Sequence, residues 1–214
     1  MDRSALYDTL LLDLGGVLID VDYEAAARAF ADLGLGDFGA LYSKARQDHL
    51  FDGFETGHIS PAQFRDRIRA LFGRPLTDAQ IDGCWNAMLG SIPPARIALV
   101  ERLKEHYQVL LLSNTNAIHV SAFEAIAARE NGIVDFKGLF HGAYYSCELG
   151  LRKPDPAAFL QVLARHGAAP GRTLFIDDSI QHVEGARKAG LHAEHLDLAQ
   201  EDVVALAERL GLVR

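Results

Sequence analysis

Five polar residues in this chain stand where apolar segments stop. Asp13 follows Leu10-Leu11-Leu12, Ser113-Asn114 follow Val109-Leu110-Leu111-Leu112, and Asp177-Asp178 follow Thr173-Leu174-Phe175-Ile176. A carboxylate so placed can attack a phosphorus or carbon centre, or ligate a metal. A hydroxyl and an amide just ahead of a helix, with free backbone N–H groups, make an anion site. Lys153, on the loop Arg152-Lys153-Pro154, adds an ammonium that can neutralise a phosphate and a nucleophile together. Carboxylates, a hydroxyl and an ammonium at one point suit metal-assisted phosphoryl chemistry. Asp177 and Asp178 are neighbours at a strand end, so their side chains diverge and one of them ligates directly. Magnesium accepts such a sparse set, because water and substrate phosphate fill its remaining positions.

These residues lie far apart in sequence, and only a particular architecture brings them together. Apolar runs of this length read as strands buried on both faces, as in a parallel sheet. Parallel strands place their carboxyl ends along one edge, where open α/β sheets bind ligands. Strands are predicted over 6–14, 107–114, 139–145, 173–177 and 191–196. Helices over 96–106, 117–129, 155–166, 183–189 and 200–210 alternate with them, which implies right-handed crossovers and helices on both faces. Between residues 22 and 90 the pattern is helical throughout. Helical periodicity covers 23–33 and 40–50. Ser60-Pro61-Ala62-Gln63 and Thr77-Asp78-Ala79-Gln80 are capping boxes that open two further helices. The expected division is a Rossmann-like core, 1–18 and 93–214, with an all-helical cap, 19–92, inserted after the first strand.

The chain of 214 residues carries a net charge of -8 and no basic run, which argues against nucleic acid as a partner. Asp13 interrupts the first apolar stretch and no small-residue cleavage site follows, so neither a signal peptide nor a membrane span is expected. Two cysteines, Cys84 and Cys147, do not make a disulfide framework and fit a reduced, cytoplasmic setting. His192, Glu194 and His195 lack the helical spacing of a zinc site. Trp85 reads as packing rather than as a stacking platform for substrate.

Four segments together carry a resemblance: Asp13-Leu14-Gly15-Gly16-Val17-Leu18, Leu112-Ser113-Asn114, Arg152-Lys153-Pro154 and Phe175-Ile176-Asp177-Asp178. In order and separation they resemble the haloacid dehalogenase-like hydrolase superfamily. Phe54-Glu55-Thr56-Gly57-His58-Ile59-Ser60 and Leu149-Gly150-Leu151-Arg152-Lys153-Pro154 are similar to its bacterial alpha-D-glucose-1-phosphate phosphatase branch. The resemblance implies a Rossmann-like sheet of order 5-4-1-2-3, magnesium as cofactor and a small phosphorylated metabolite as substrate. It implies Asp13 as the nucleophile that forms an aspartyl-phosphate, with Ser113 and Lys153 holding the phosphoryl group. The implied phosphate-binding set is Leu14, Gly15, Ser113, Asn114 and Lys153. The implied metal set is Asp13, the backbone of Gly15, and Asp178, with Asp177 in support.

Two positions depart from the superfamily pattern. Most of its phosphatases carry an acid two residues after the nucleophile, where this chain has Gly15. Four residues after Asp178, an Asp or Asn is usual, and here His182 stands. A positioned general acid is worth about 10²–10⁴-fold, and its loss matters least for a good leaving group. The chemistry therefore favours sugar 1-phosphates or acyl phosphates. Substitutes for the missing acid and base are Glu55 and His58 on the cap, Asp20 beside the hinge, and His182. Rival readings are a haloacid or phosphonate hydrolase of the same fold, the latter through Lys44 in the cap, and a non-catalytic phosphometabolite binder.

Overall fold

The computed structural model describes residues 6–34 and 50–213. Five strands form one parallel sheet: β1 (Thr9–Leu12), β2 (Gln108–Ser113), β3 (Gly142–Tyr145), β4 (Thr173–Asp177) and β5 (His192–His195). Their order is β3-β2-β1-β4-β5, the expected 5-4-1-2-3 read from the opposite edge. β1 is central, with Leu12 level with Leu111 of β2 on one side and Ile176 of β4 on the other. All four pairings are parallel, so the carboxyl ends share one edge.

Strand periodicity splits the sheet into two cores. Leu10, Leu12, Val109, Leu111, Leu174 and Ile176 face one way and Leu11, Leu110, Leu112 and Phe175 the other. The first face packs against helices Pro94–Lys104, Ala117–Asn131 and Val203–Arg209, and the second against Pro156–Arg165 and Ile180–Lys188. Each side chain fully buried here contributes about 1.5–3 kcal/mol relative to exposure. Burial on both faces explains why the strands read as unbroken apolar runs.

Among the described residues, the helices between β1 and Pro94 are Tyr23–Asp32, Leu50–Glu55, Pro61–Phe72 and Asp78–Asn86. The last two start where the capping boxes place them; Ser60 and Thr77 accept from the third-position N–H and receive the reciprocal Gln63 and Gln80 contacts. The helix expected over 40–50 lies outside the described residues. These helices bury their own cluster, centred on Phe30, Phe54, Phe64, Ile81 and Trp85, which reaches the core helix 117–131 only through Ile118 among its buried members. The chain crosses between the two layers twice, at 20–22 and 88–91. The crossings are tied by Gly90 N–H to Asp20 O (2.8 Å), Asp22 N–H to Met88 O (2.9 Å) and Asp20 N–H to Ser91 O (2.9 Å). Among the described residues, no helix is long and apolar enough to cross a membrane.

His119 fastens the helical layer to the core. Its Nε2 lies 3.2 Å from the Trp85 carbonyl and its Nδ1 3.1 Å from Asn116 Nδ2, while its ring stacks on Trp85 at 5.1 Å between centroids. Burial holds the imidazole neutral, lowering its pKa from 6.5 to about 4. The unfolded chain therefore takes up a proton that the folded chain refuses, and stability falls as pH drops from 6.5 toward 4. Between pH 7.5 and pH 5 this residue should cost about 2 kcal/mol. Urea unfolding at the two pH values should show the loss in the parent, and a smaller one in His119→Leu.

Candidate active site

Register builds the floor of the site. Because Leu12 is level with Leu111 and Ile176, the next residue, Asp13, sits beside Leu112 and Asp177, with Ser113 one step further on. Asp13 N–H donates to the Ile176 carbonyl at 3.0 Å, so the first residue past β1 is still anchored to the sheet. β3 aligns Tyr145 with Ser113, and the following Ser146 lies under the loop after β2. Thr115 N–H donates to Ser146 Oγ (2.9 Å) and that hydroxyl donates back to the Thr115 carbonyl (3.0 Å). Asn116 caps helix 117–131 by accepting from Ile118 and His119 N–H.

Lys153 reaches this floor from the loop ahead of helix 156–165. The Asn114 side chain clamps that loop: Nδ2 donates to the Lys153 carbonyl (2.8 Å) and Oδ1 accepts from Lys153 N–H (2.9 Å). The Asn114 amide, expected to touch phosphate, is thus engaged in positioning the lysine. The Lys153 ammonium lies 2.6 Å from Asp13 Oδ1 and 2.7 Å from Asp177 Oδ2, with 0% of its side chain exposed. Burial alone would strip its proton, but the Asp13 and Asp177 carboxylates outweigh that and raise its pKa.

Asp177 and Asp178 diverge as adjacent strand-end residues must. Asp177 accepts from Ser179 N–H (2.7 Å) and faces His182 Nδ1 at 3.0 Å as well as Lys153. Burial works against the Asp177 carboxylate, yet Lys153 and His182 bring it down to about 2. Asp178 points the opposite way, against Gly16. A Cβ at Gly16, where φ is +72°, would overlap the Asp178 carboxylate, so only glycine fits there. Burial and the neighbouring Asp177 raise Asp178. Burial and Asp177 likewise raise Asp13, against the opposing pull of Lys153.

A divalent cation fits this arrangement. Two carboxylates share one ammonium and a third, Asp178, follows directly in the chain; Asp13 and Asp178 are held above their ordinary range by burial and by the Asp177 charge. Asp13, Asp177 and His182 place ligand atoms within 4.8 Å of one another. Asp177, however, is already committed to Lys153, His182 and Ser179. The oxygens that remain are Asp13 Oδ2 and those of Asp178, on residues that line one cleft with Gly15. That all-oxygen set suits a hard ion that keeps several waters.

Above the floor lies a cleft of about 700 Å³. Asp13, Leu14, Gly15, Ser113, Asn114, Asp178 and His182 line it from the core, and Tyr23, Glu55, Trp85 and Met88 from the helical layer. Of the four expected acid/base substitutes, Glu55 and His182 line this cleft. His58 is exposed and bonds to Thr56 at 2.7 Å, and Asp20 pairs with Arg96 at 2.8 Å and with Ser91 at the crossing. His58 and Asp20 are not among the lining residues. Lys44 lies outside the described residues. Trp85 both packs and lines the cleft, stacked between Phe51 and His119. Burial raises both free cysteine thiols, which leaves them unreactive.

Sequence reasoning missed three participants. Arg152 joins the layers by pairing with Asp52 and, at 2.9 Å, with Glu55. Tyr23 has 69% of its surface exposed, yet its hydroxyl feels desolvation and the charges of Asp178, Asp13, Asp177 and Glu55, all of which raise it. Ser146 supports the loop after β2; the polar turn after Tyr144-Tyr145 was the available signal for it.

The family model for haloacid dehalogenase-like hydrolase matches residues 7–190, and the chain belongs to that family. A D-ribitol-5-phosphate phosphatase of Bacteroides thetaiotaomicron is 30% identical over 186 residues, 85% of this chain and 87% of that protein. A sesquiterpene phosphatase of Aspergillus oryzae is 24% identical over 96% of this chain and 97% of that one. A solved family enzyme from Bacteroides thetaiotaomicron, in complex with magnesium and inorganic phosphate, superposes with a TM-score of 0.83 at 35% identity, covering 94% of this chain and 98% of that one.

The buried lysine makes a stability prediction. Lys153→Met leaves Asp13 and Asp177 facing each other without a counter-charge and should cost about 3–5 kcal/mol at neutral pH. Adding Asp177→Asn should return a large part of that loss. Urea denaturation of both variants checks the pair.

Proposed function

We propose that this chain is a magnesium-dependent phosphatase of small phosphate monoesters, with Asp13 as its nucleophile. The observation that carries this reading is the Lys153 ammonium held between Asp13 and Asp177 at 2.6 and 2.7 Å. An ammonium has three N–H donors. Two are spent on the carboxylates, which fixes the third toward an incoming phosphoryl oxygen. Asp13 Oδ attacks phosphorus, the ester bond breaks, and an aspartyl-phosphate results. Ser113, at the end of β2, and the backbone at Leu14 and Gly15 complete the phosphate cradle. Asp177 serves the lysine and His182 serves Asp177, so neither touches the reacting atoms.

Asp13, Asp178 and the Gly15 carbonyl would hold magnesium, which supplies neutralisation of the charge between a carboxylate nucleophile and an anionic phosphate. Support comes from Asp13, Gly15 and Asp178 lining one cleft, from the Asp178 carboxylate lying against Gly16, and from the magnesium and phosphate complex of the similar enzyme. The segment 19–92 acts as the cap over the cleft. The substrate class is a phosphorylated sugar or polyol. A relative named for ribitol 5-phosphate supports that class, and it also tempers the preference for 1-phosphates, because a polyol 5-phosphate releases an ordinary alkoxide.

Phosphate release from p-nitrophenyl phosphate should require magnesium, and Asp13→Asn should lower it by at least about 10⁴-fold. Full activity in Asp13→Asn would sink the reading. A panel of sugar 1-phosphates, polyol 5-phosphates and hexose 6-phosphates then ranks the substrates by kcat/KM.

A further inference from the structure

We propose that Glu55, delivered by the helix Leu50–Glu55, is the general acid and base of the reaction in place of the residue that Gly15 lacks. The inference rests on the phosphatase reading above. An alkoxide leaving group needs a proton, and the water that cleaves the aspartyl-phosphate must lose one. The floor of the cleft offers no free group for this among the described residues. Asp13 attacks, Asp178 faces the glycine turn, Asp177 is tied to Lys153, and His182 is tied to Asp177. His58 bonds to Thr56 and Asp20 sits in the crossing.

Glu55 alone of the candidates combines access with freedom. It lines the cleft together with Asp13 and Gly15. Its Oε2 is buried and, although Arg152 Nη2 stands 2.9 Å away, lacks an aligned hydrogen-bond partner. A buried carboxylate oxygen with unused capacity is costly unless a ligand completes it. The groups facing Glu55 are Arg152 and Lys153 from the core loop, Asp52 on its own helix, and Tyr23 from the first cap helix. Burial raises its pKa, Arg152 and Lys153 oppose that, and the Asp52 charge adds to it. Arg152 also pairs with Asp52, so it keeps a partner when Glu55 takes a proton.

The protons balance over one cycle. The Glu55 carboxylic acid gives its proton to the bridging oxygen as that oxygen leaves phosphorus and Asp13 bonds to it, which releases an alcohol. The Glu55 carboxylate then takes a proton from water as the water oxygen attacks the phosphorus of the aspartyl-phosphate. The phosphorus–Asp13 bond breaks, phosphate leaves, and Glu55 is again an acid.

The test compares Glu55→Gln with the parent across p-nitrophenyl, phenyl and alkyl phosphates with magnesium present. On alkyl phosphates kcat/KM should fall by about 10²–10⁴-fold, and on p-nitrophenyl phosphate by far less. The phosphoenzyme should accumulate in Glu55→Gln as a mass increment of one phosphoryl group. Gly15→Asp in the Glu55→Gln protein should restore alkyl phosphate turnover, since a Cβ at Gly15 meets only Val21 Cγ2, at 3.4 Å. An equal loss on every ester, or no loss on any, overturns the assignment while leaving Asp13 as nucleophile. Retained activity in Asp13→Asn would instead remove the phosphatase reading itself.

Discussion

A fully buried ammonium between two buried carboxylates is the constraint on which the rest of this structure depends. Each of the three charges is expensive to take out of water, and the set is tolerable because the ammonium lies within 2.7 Å of both carboxylates. The arrangement demands that β1 and β4 be adjacent and in register, which fixes Asp13 beside Asp177. It demands that the loop before helix 156–165 come back over the sheet edge, which Asn114 secures with two hydrogen bonds to the Lys153 backbone. It also explains His182. A second partner on Asp177 lets that carboxylate stay ionised while it shares the lysine with Asp13.

The elements of the core were legible because their signals are local. Apolar runs that end in a polar residue marked β1, β2 and β4, and two capping boxes marked Pro61 and Asp78 as helix starts. Strand ends were read too generously: 6–14 shrinks to Thr9–Leu12, and 139–145 shrinks to Gly142–Tyr145 behind a 3-10 turn at Lys137–Leu139. The short helices Leu50–Glu55 and Ser146–Leu149 escaped notice, since one or two turns carry no usable period. At the site, the residue types were legible and their partners were not. Asn114 looked like a phosphate ligand and is a loop clamp, because its partner stands 39 positions away. Arg152 looked like part of a loop motif and spans the two layers, because Asp52 is 100 positions away. Pairings at such separations are set by topology, which a linear pattern does not display.

The two layers meet along a seam with two kinds of contact. On one side, Phe51, Trp85 and His119 form an aromatic stack that ends on the core helix 117–131. On the other, Arg152 holds the helix 50–55 by its carboxylates. The stack is apolar and buried, so it resists shear. The ion pairs are partly exposed and individually weak. Both contacts meet on the helix 50–55, because Phe51 of the stack and the carboxylates of Asp52 and Glu55 all lie on it. The crossings at 20–22 and 88–91 add backbone hydrogen bonds and the Asp20 contacts to Arg96 and Ser91.

Gly15 and Gly16 look alike in sequence and answer to different constraints. Gly16 has a left-handed backbone and touches the Asp178 carboxylate, so its lack of a side chain is a condition of the site. Gly15 has an ordinary backbone and space for a Cβ beside Val21. Packing therefore does not forbid an acid at position 15, and its absence is a matter of chemistry rather than room. With no side chain there, the floor of the cleft keeps fewer fixed negative charges around Asp13, which burial and Asp177 already push upward. A proton carrier at Glu55, as proposed above, avoids adding a fourth carboxylate to that floor, because it lines the cleft from the helical layer.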